Sequence, residues 1–140
     1  MLGPALLLVI LLASCGNAAH SAAGPPPGAD DTSATFTFSD SYTTLAHECT
    51  RRQTVHITGS TNLIQLVEPC RAVTVGGSTN QVVIQATGTL TIAGQNQHVT
   101  VQKVTSGVIQ LGGTDNELVC GSRTEVQDTG HRNLTSGCSG

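Results

Sequence analysis

The sequence predicts an all-β protein, a small single-stranded parallel β-helix of about four to five coils preceded by a disordered tether. Three observations carry that expectation. Gly59, Gly77, Gly94 and Gly113 recur at spacings of 18, 17 and 19 residues. Aliphatic residues hold fixed offsets from each glycine, and a side-chain amide stands three places after it every time. Large rings are nearly absent, with Phe36, Phe38 and Tyr42 the three aromatics among 140 residues, so burial falls to Val, Ile and Leu.

In chain order, residues 1–14 read as a signal peptide. The apolar stretch Ala5 to Leu12 is too short to span a bilayer and has the length of a signal core. Leu12-Ala13-Ser14-Cys15 resembles the bacterial lipobox, in which the cysteine becomes the mature N-terminus and is acylated. Cys15 is therefore the expected lipidation site, with the membrane as partner through its acyl chains and the extracytoplasmic side of the cell membrane as address. Met1 to Pro4 lack Lys and Arg, which departs from the usual signal and points to a start upstream or an atypical leader. Residues 15–33 include Gly24-Pro25-Pro26-Pro27-Gly28 and no apolar period, so they read as a tether extending about 3.1 Å per residue in polyproline geometry.

The folded domain is expected over 34–140. Ala34 to Phe38 alternates in strand fashion, and the three aromatics, all at this end, read as a plug over the raw end of a repeat stack. The repeats begin at Thr54. Four places before each glycine stand Val55, Val73, Leu90 and Ile109; two places before stand Ile57, Val75, Ile92 and Leu111. Five places after come Ile64, Val82, Val99 and Leu118, and seven places after come Leu66, Ile84, Val101 and Cys120. Polar residues alternate with these, so each coil holds two strands with one face inward. Glycine marks the corner between them, where it permits a positive φ or a close backbone approach. The amides at +3, Asn62, Asn80, Gln97 and Asn116, suit left-handed geometry or a ladder of bonds from coil to coil.

Cys49, Cys70, Cys120 and Cys138 form an even set, read as two disulfides in an exported chain. Three pairings are open; Cys49 with Cys70 and Cys120 with Cys138 would each join a coil to its neighbour or to an end. The run Val-x-Ile-x-Gly-x-x-Asn-x-Ile-x-Leu, with Cys49 and Cys70 before the first two coils, resembles a family of actinobacterial lipoproteins whose domain has no assigned function. That resemblance covers roughly Cys49 to Cys120. It implies a β-solenoid on a surface lipoprotein and transfers no catalytic residue.

No catalytic, cofactor or metal residues are expected. His56 and His98 fall on outward positions in different coils, without a third ligand placed by spacing. Asp115 and Glu117 acidify one corner only, whereas a calcium stack needs carboxylates in successive corners. Glu68, Arg71 and Lys103 fall where they can neighbour one another and read as solubility residues. Thr74 and Thr91 stack at −3, but His56 and Gln110 interrupt the column an ice-binding face would need. Asn133-Leu134-Thr135 has the form of a glycosylation acceptor, idle in a bacterium. A net charge of −3 on a chain 11% charged argues against nucleic acid. The expected role is a lipid-anchored envelope module that binds or scaffolds an envelope protein or glycan. A small envelope enzyme acting on glycans or lipids is the alternative.

Overall fold

The computed structural model describes residues 34–139. The expected leader, Cys15, the tether and Gly140 lie outside the described residues. Ten strands pair into one sheet: β1 (Thr35–Phe38), β2 (Thr44–Glu48), β3 (Thr54–Ile57), β4 (Leu63–Val75), β5 (Gln81–Ile92), β6 (His98–Val101), β7 (Val108–Leu111), β8 (Glu117–Cys120), β9 (Glu125–Asp128) and β10 (Leu134–Ser136). All pairings are parallel, each strand lying on the one a turn away. The sequence offsets are the physical columns. Val55, Val73, Leu90, Ile109 and Val126 stack in register on one side. Leu45, Ile64, Val82, Val99 and Leu118 do so on the next.

The fold is thus the expected parallel β-solenoid, with about six turns. The two extra turns are the terminal segments, β1 with β2 and β9 with β10. Their repeat is degraded: Asp40 takes the corner of the first turn, and Asp128 and Thr135 occupy inward offsets of the last. All sixteen aliphatic or cysteine positions of the four central repeats are buried, fifteen at 1% exposure or less and Cys120 at 6%. A filled interior of this kind supplies the stabilising burial that the missing aromatics would otherwise give.

Corner chemistry differs from the expectation in one respect. The left-handed residue is at +2, not at the +3 amide: Tyr42, Thr61, Thr79, Asn96, Asp115 and Arg132 have φ of 59°, 60°, 58°, 52°, 57° and 56°. That kink turns the following amide inward, where Asn62, Asn80, Gln97 and Asn116 are buried. Each amide oxygen accepts the backbone N–H of the equivalent residue one turn earlier, from Asn62 donating to Asn80 Oδ1 at 3.0 Å through Asn116 donating to Asn133 Oδ1 at 3.0 Å. The amide NH2 groups donate to corner carbonyls, as Asn80 Nδ2 does to Gly59 O at 2.9 Å and Asn116 Nδ2 to Gly94 O at 2.9 Å. The predicted ladder therefore exists and bonds to the backbone at the corners it crosses, and among the described residues no buried side-chain polar atom lacks a partner. Glycine is required beside it by contact: a Cβ on Gly77 would stand 1.9 Å from Gly59 O, and one on Gly113 1.9 Å from Gly94 O, both at positive φ.

The rings do not act together as a plug. Phe38 is buried and Phe36 packs on the core, stacked on His47 with centroids 4.0 Å apart, while His47 Nε2 meets Gln53 Oε1 at 2.9 Å. Tyr42 is 84% exposed, because its place at the left-handed corner aims its side chain outward. Cys49 is bonded to Cys70 and Cys120 to Cys138, each bridge tying an end turn to its neighbour.

Candidate functional site

From the residue at −4 to the one at +7, each repeat spans an invariant stretch, so two sides of the coil are fixed. All length variation falls on the third side. Leu66 and Val73 are seven residues apart, Ile84 and Leu90 six, Val101 and Ile109 eight. On this side β4 and β5 run straight through as 13- and 12-residue strands, with a register shift between Leu66 and Pro69. Glu68 absorbs the shift at φ 68°. Cys70 and Thr87 are paired here, as are Thr87 and Val104, and all three are buried with Thr124, an inward column that the glycine-centred count did not contain.

The short return at Ala86-Thr87-Gly88 lies between the longer ones. Its side chains are small, and a Cβ on Gly88 would stand 2.2 Å from Arg71 O. The result is a cleft of about 470 Å³ lined by Arg51, Pro69, Cys70, Arg71, Lys103 and Thr105 around that floor. Backbone bonds fix the floor: Thr87 N–H donates to Lys103 O at 3.1 Å and Ser106 N–H to Gly88 O at 2.9 Å. The Thr87 hydroxyl turns away to donate to Thr89 O at 2.8 Å. The disulfide at Cys70 closes one wall. Arg51, Arg71 and Lys103 are exposed, and Arg71 also borders a shallower groove lined by Thr35, Thr54, Ala72 and Thr89.

Charge is sorted onto this side. Arg51, Arg52, Arg71, Lys103 and Arg123 are five of the chain's six Lys and Arg, and all stand on third-side returns. Glu48, Glu68 and Glu125 are the acids there, giving five bases against three acids; the rest of the described chain has Arg132 against Asp40, Asp115, Glu117 and Asp128. The expected neighbours Arg71 and Lys103 do share the cleft, but Glu68 is not among its lining residues and Arg51 takes that place. Arg51 was missed because it precedes the first complete repeat. Its signal is in the sequence nonetheless, in the clustering of bases between the +7 of one repeat and the −4 of the next.

Elsewhere the chemistry-bearing residues are apart. His56 lies in register between Thr37 and Thr74, and Gln110 follows Thr91 in the same column, which is interrupted as expected. His98 Nδ1 meets Glu117 Oε2 at 2.9 Å on the surface. Asp115 pairs with Arg132, whose guanidinium is held above its ordinary pKa by that hydrogen bond and then by the attraction of the carboxylate. The Asn133 side chain is engaged as the ladder's last acceptor and donates to Asp128 Oδ1 at 2.8 Å. Among the described residues no group of three or more His, Cys, Asp or Glu is placed to hold a metal ion.

A glycine column, an inward amide ladder and variable returns on one side define the class: a short parallel β-solenoid with two constant faces and one variable basic face. A family model described as protein of unknown function (DUF3060) matches residues 57–112, a stretch that holds the ladder amides Asn62, Asn80 and Gln97. That stretch contains Arg71, Lys103 and the cleft floor, while Arg51 and Cys49 precede it. No curated protein and no solved structure is significantly similar to the chain.

Proposed function

We propose that the chain is a lipid-anchored module of the cell envelope that binds or scaffolds an envelope protein or glycan without catalysing a reaction. The observation that carries this reading is the contrast between a rigid outer surface and dispersed chemistry. The amide ladder and filled core fix the outward residues in register. His56 and His98 stand in different turns, His56 in register between threonines and His98 paired with Glu117 on the surface, where Asp115 is paired with Arg132. Acid–base or nucleophilic catalysis calls for converging groups, and recognition calls only for a fixed surface. The anchor rests on Leu12-Ala13-Ser14-Cys15 and on the likeness to actinobacterial lipoproteins, which also supports the extracytoplasmic address.

Radiolabelled palmitate is expected to enter the full chain expressed in a bacterium and to be absent from Cys15→Ala. Label that persists in Cys15→Ala overturns the anchor. Purified chain incubated with envelope glycans and lipids is expected to return them unchanged, and release of a cleaved or transferred product would replace binding with catalysis.

A further inference from the structure

We propose that the cleft between Arg51, Arg71 and Lys103 binds a tetrahedral oxyanion, the phosphate or sulfate group of a larger ligand; the proposal rests on the binding-module reading and names what the module holds. Three observations lead to it. Three cations from three different returns face one cleft, and among the described residues none that line it is acidic. The exposed charges of Arg51 and Lys103 repel one another across this open space, and an anion between them turns that repulsion into attraction. Solvated bases kept for solubility are interspersed with acids over the whole surface, whereas five of six here share one side of a chain whose net charge is −3.

The donor set suits the ligand. Guanidinium groups present planar forks that match two oxygens of a phosphate or sulfate, and an ammonium adds a mobile point charge for a third. The cleft's volume of about 470 Å³ exceeds what the anion needs, which leaves room for the body of the ester. A neutral sugar would look for an aromatic stacking platform, and no lining residue is aromatic. The cleft also owes its existence to the coil lengths: a six-residue spacing between a seven and an eight sets the small floor below its neighbours. The threonine-lined groove beyond Arg71 continues the surface with hydroxyl groups suited to the polar remainder of such a ligand.

The test uses the full chain carrying Cys15→Ala, so that acyl chains do not bring it to vesicles by themselves. Amide chemical shifts are followed by NMR while inorganic phosphate, and separately sulfate, is added. A saturable response in the ~1–10 mM range centred on Arg71, Thr87, Gly88 and Lys103 is expected. Arg71 makes contacts of its own and is left in place; the double variant Arg51→Gln/Lys103→Gln is expected to weaken binding about tenfold or more, as loss of charge-assisted bonds requires. Arg52→Gln/Arg123→Gln removes the same charge from the same side but outside the cleft lining, and is expected to keep the affinity within about twofold.

A second arm sediments the proteins with phosphatidylcholine vesicles with and without phosphatidylglycerol. Binding to the anionic vesicles that is lost only in the cleft variant assigns the group to a lipid headgroup; binding to the soluble anions alone assigns it to a soluble ester. Absence of a saturable response in both arms, or equal loss in both double variants, overturns the proposal. That failure leaves the binding module standing, since the module falls on a different result, the appearance of a reaction product.

Discussion

The four central turns and the two terminal ones are made of the same coil, yet they are held in different ways. In the centre each inward offset but Cys120 carries an aliphatic side chain with a neighbour above and below, and each amide both receives from one turn and donates to it. At the ends a column has a neighbour on one side only. There the pattern relaxes: Phe36, Leu45 and Val126 are only partly buried, and β10 is exposed along its whole length. Both disulfides are found at these ends, Cys49–Cys70 joining the first turn to the second return and Cys120–Cys138 joining the last two turns. Where stacking cannot bury enough, covalent closure takes over. The difference teaches that periodicity marks the part of a solenoid that neighbours stabilise, and that it fades where another device does the holding.

The sharpest way to break this comparison is to remove the same amide in both regions. Asn80→Leu strands the Asn62 N–H and the Gly59 carbonyl, which Asn80 now satisfies in the buried ladder, while the Gly76 carbonyl keeps the bond from Gln97 Nε2. With each of the two buried unsatisfied groups costing about 1–3 kcal/mol, a loss of about 2–6 kcal/mol is expected. Asn133→Leu removes one acceptor at a half-buried end, where water can replace it, and a loss of about 1 kcal/mol or less is expected. Urea unfolding of the full chain with its disulfides intact measures both. Equal losses would mean that the ends are as closed as the centre.

The second test opens the terminal clasp. Replacing Cys120 and Cys138 by serine frees a loop of 18 residues, and the chain-entropy argument assigns about 3 kcal/mol to such a loop. In a stack stabilised by nearest neighbours the loss is confined to the end. Hydrogen exchange is expected to speed up at Leu134–Ser136 and β9 and to leave Val82 and Val99, at the centre, protected. Uniform loss of protection would show one cooperative unit and dissolve the distinction between the regions.

How much of this was legible in the sequence follows the same division. Burial with period two and a fixed glycine offset exposed the sixteen central positions, because side chains in a stacked column must agree in type from turn to turn. The first and last turns were not read as turns, since Asp40, Asp128 and Thr135 break the offsets at places where no neighbour enforces them. The left-handed residue was assigned to the amide, the better intrinsic candidate; Thr61 and Thr79 occupy it because the amide is worth more inside, bonded to the adjacent turn. The cleft was hidden for a further reason. Its residues lie on the side whose length varies, so no constant offset collects Arg51, Arg71 and Lys103, and only winding the coil brings them together.

The smallest effect probes whether strain at the corners is felt locally or by the whole stack. Thr79 is a β-branched residue at φ 58°, exposed, with its backbone N–H donating to Gln95 O at 2.9 Å. Asn96 holds the same place one turn later at φ 52°, so asparagine fits that geometry, and its short polar side chain tolerates the left-handed region better than threonine does. Thr79→Asn is therefore expected to stabilise the chain by about 0.5–1 kcal/mol. Tyr42, at φ 59° in the first turn, has the same left-handed backbone and is likewise exposed, so Tyr42→Asn relieves comparable strain. The two substitutions part only through cooperativity. If the first turn opens separately from the centre, Thr79→Asn raises the urea midpoint and Tyr42→Asn leaves it in place while slowing hydrogen exchange in β2. Equal midpoint shifts would place the first turn inside the central cooperative unit, and the Cys49–Cys70 bridge would then be the reason, since it is the covalent link by which the end shares the stability of the middle.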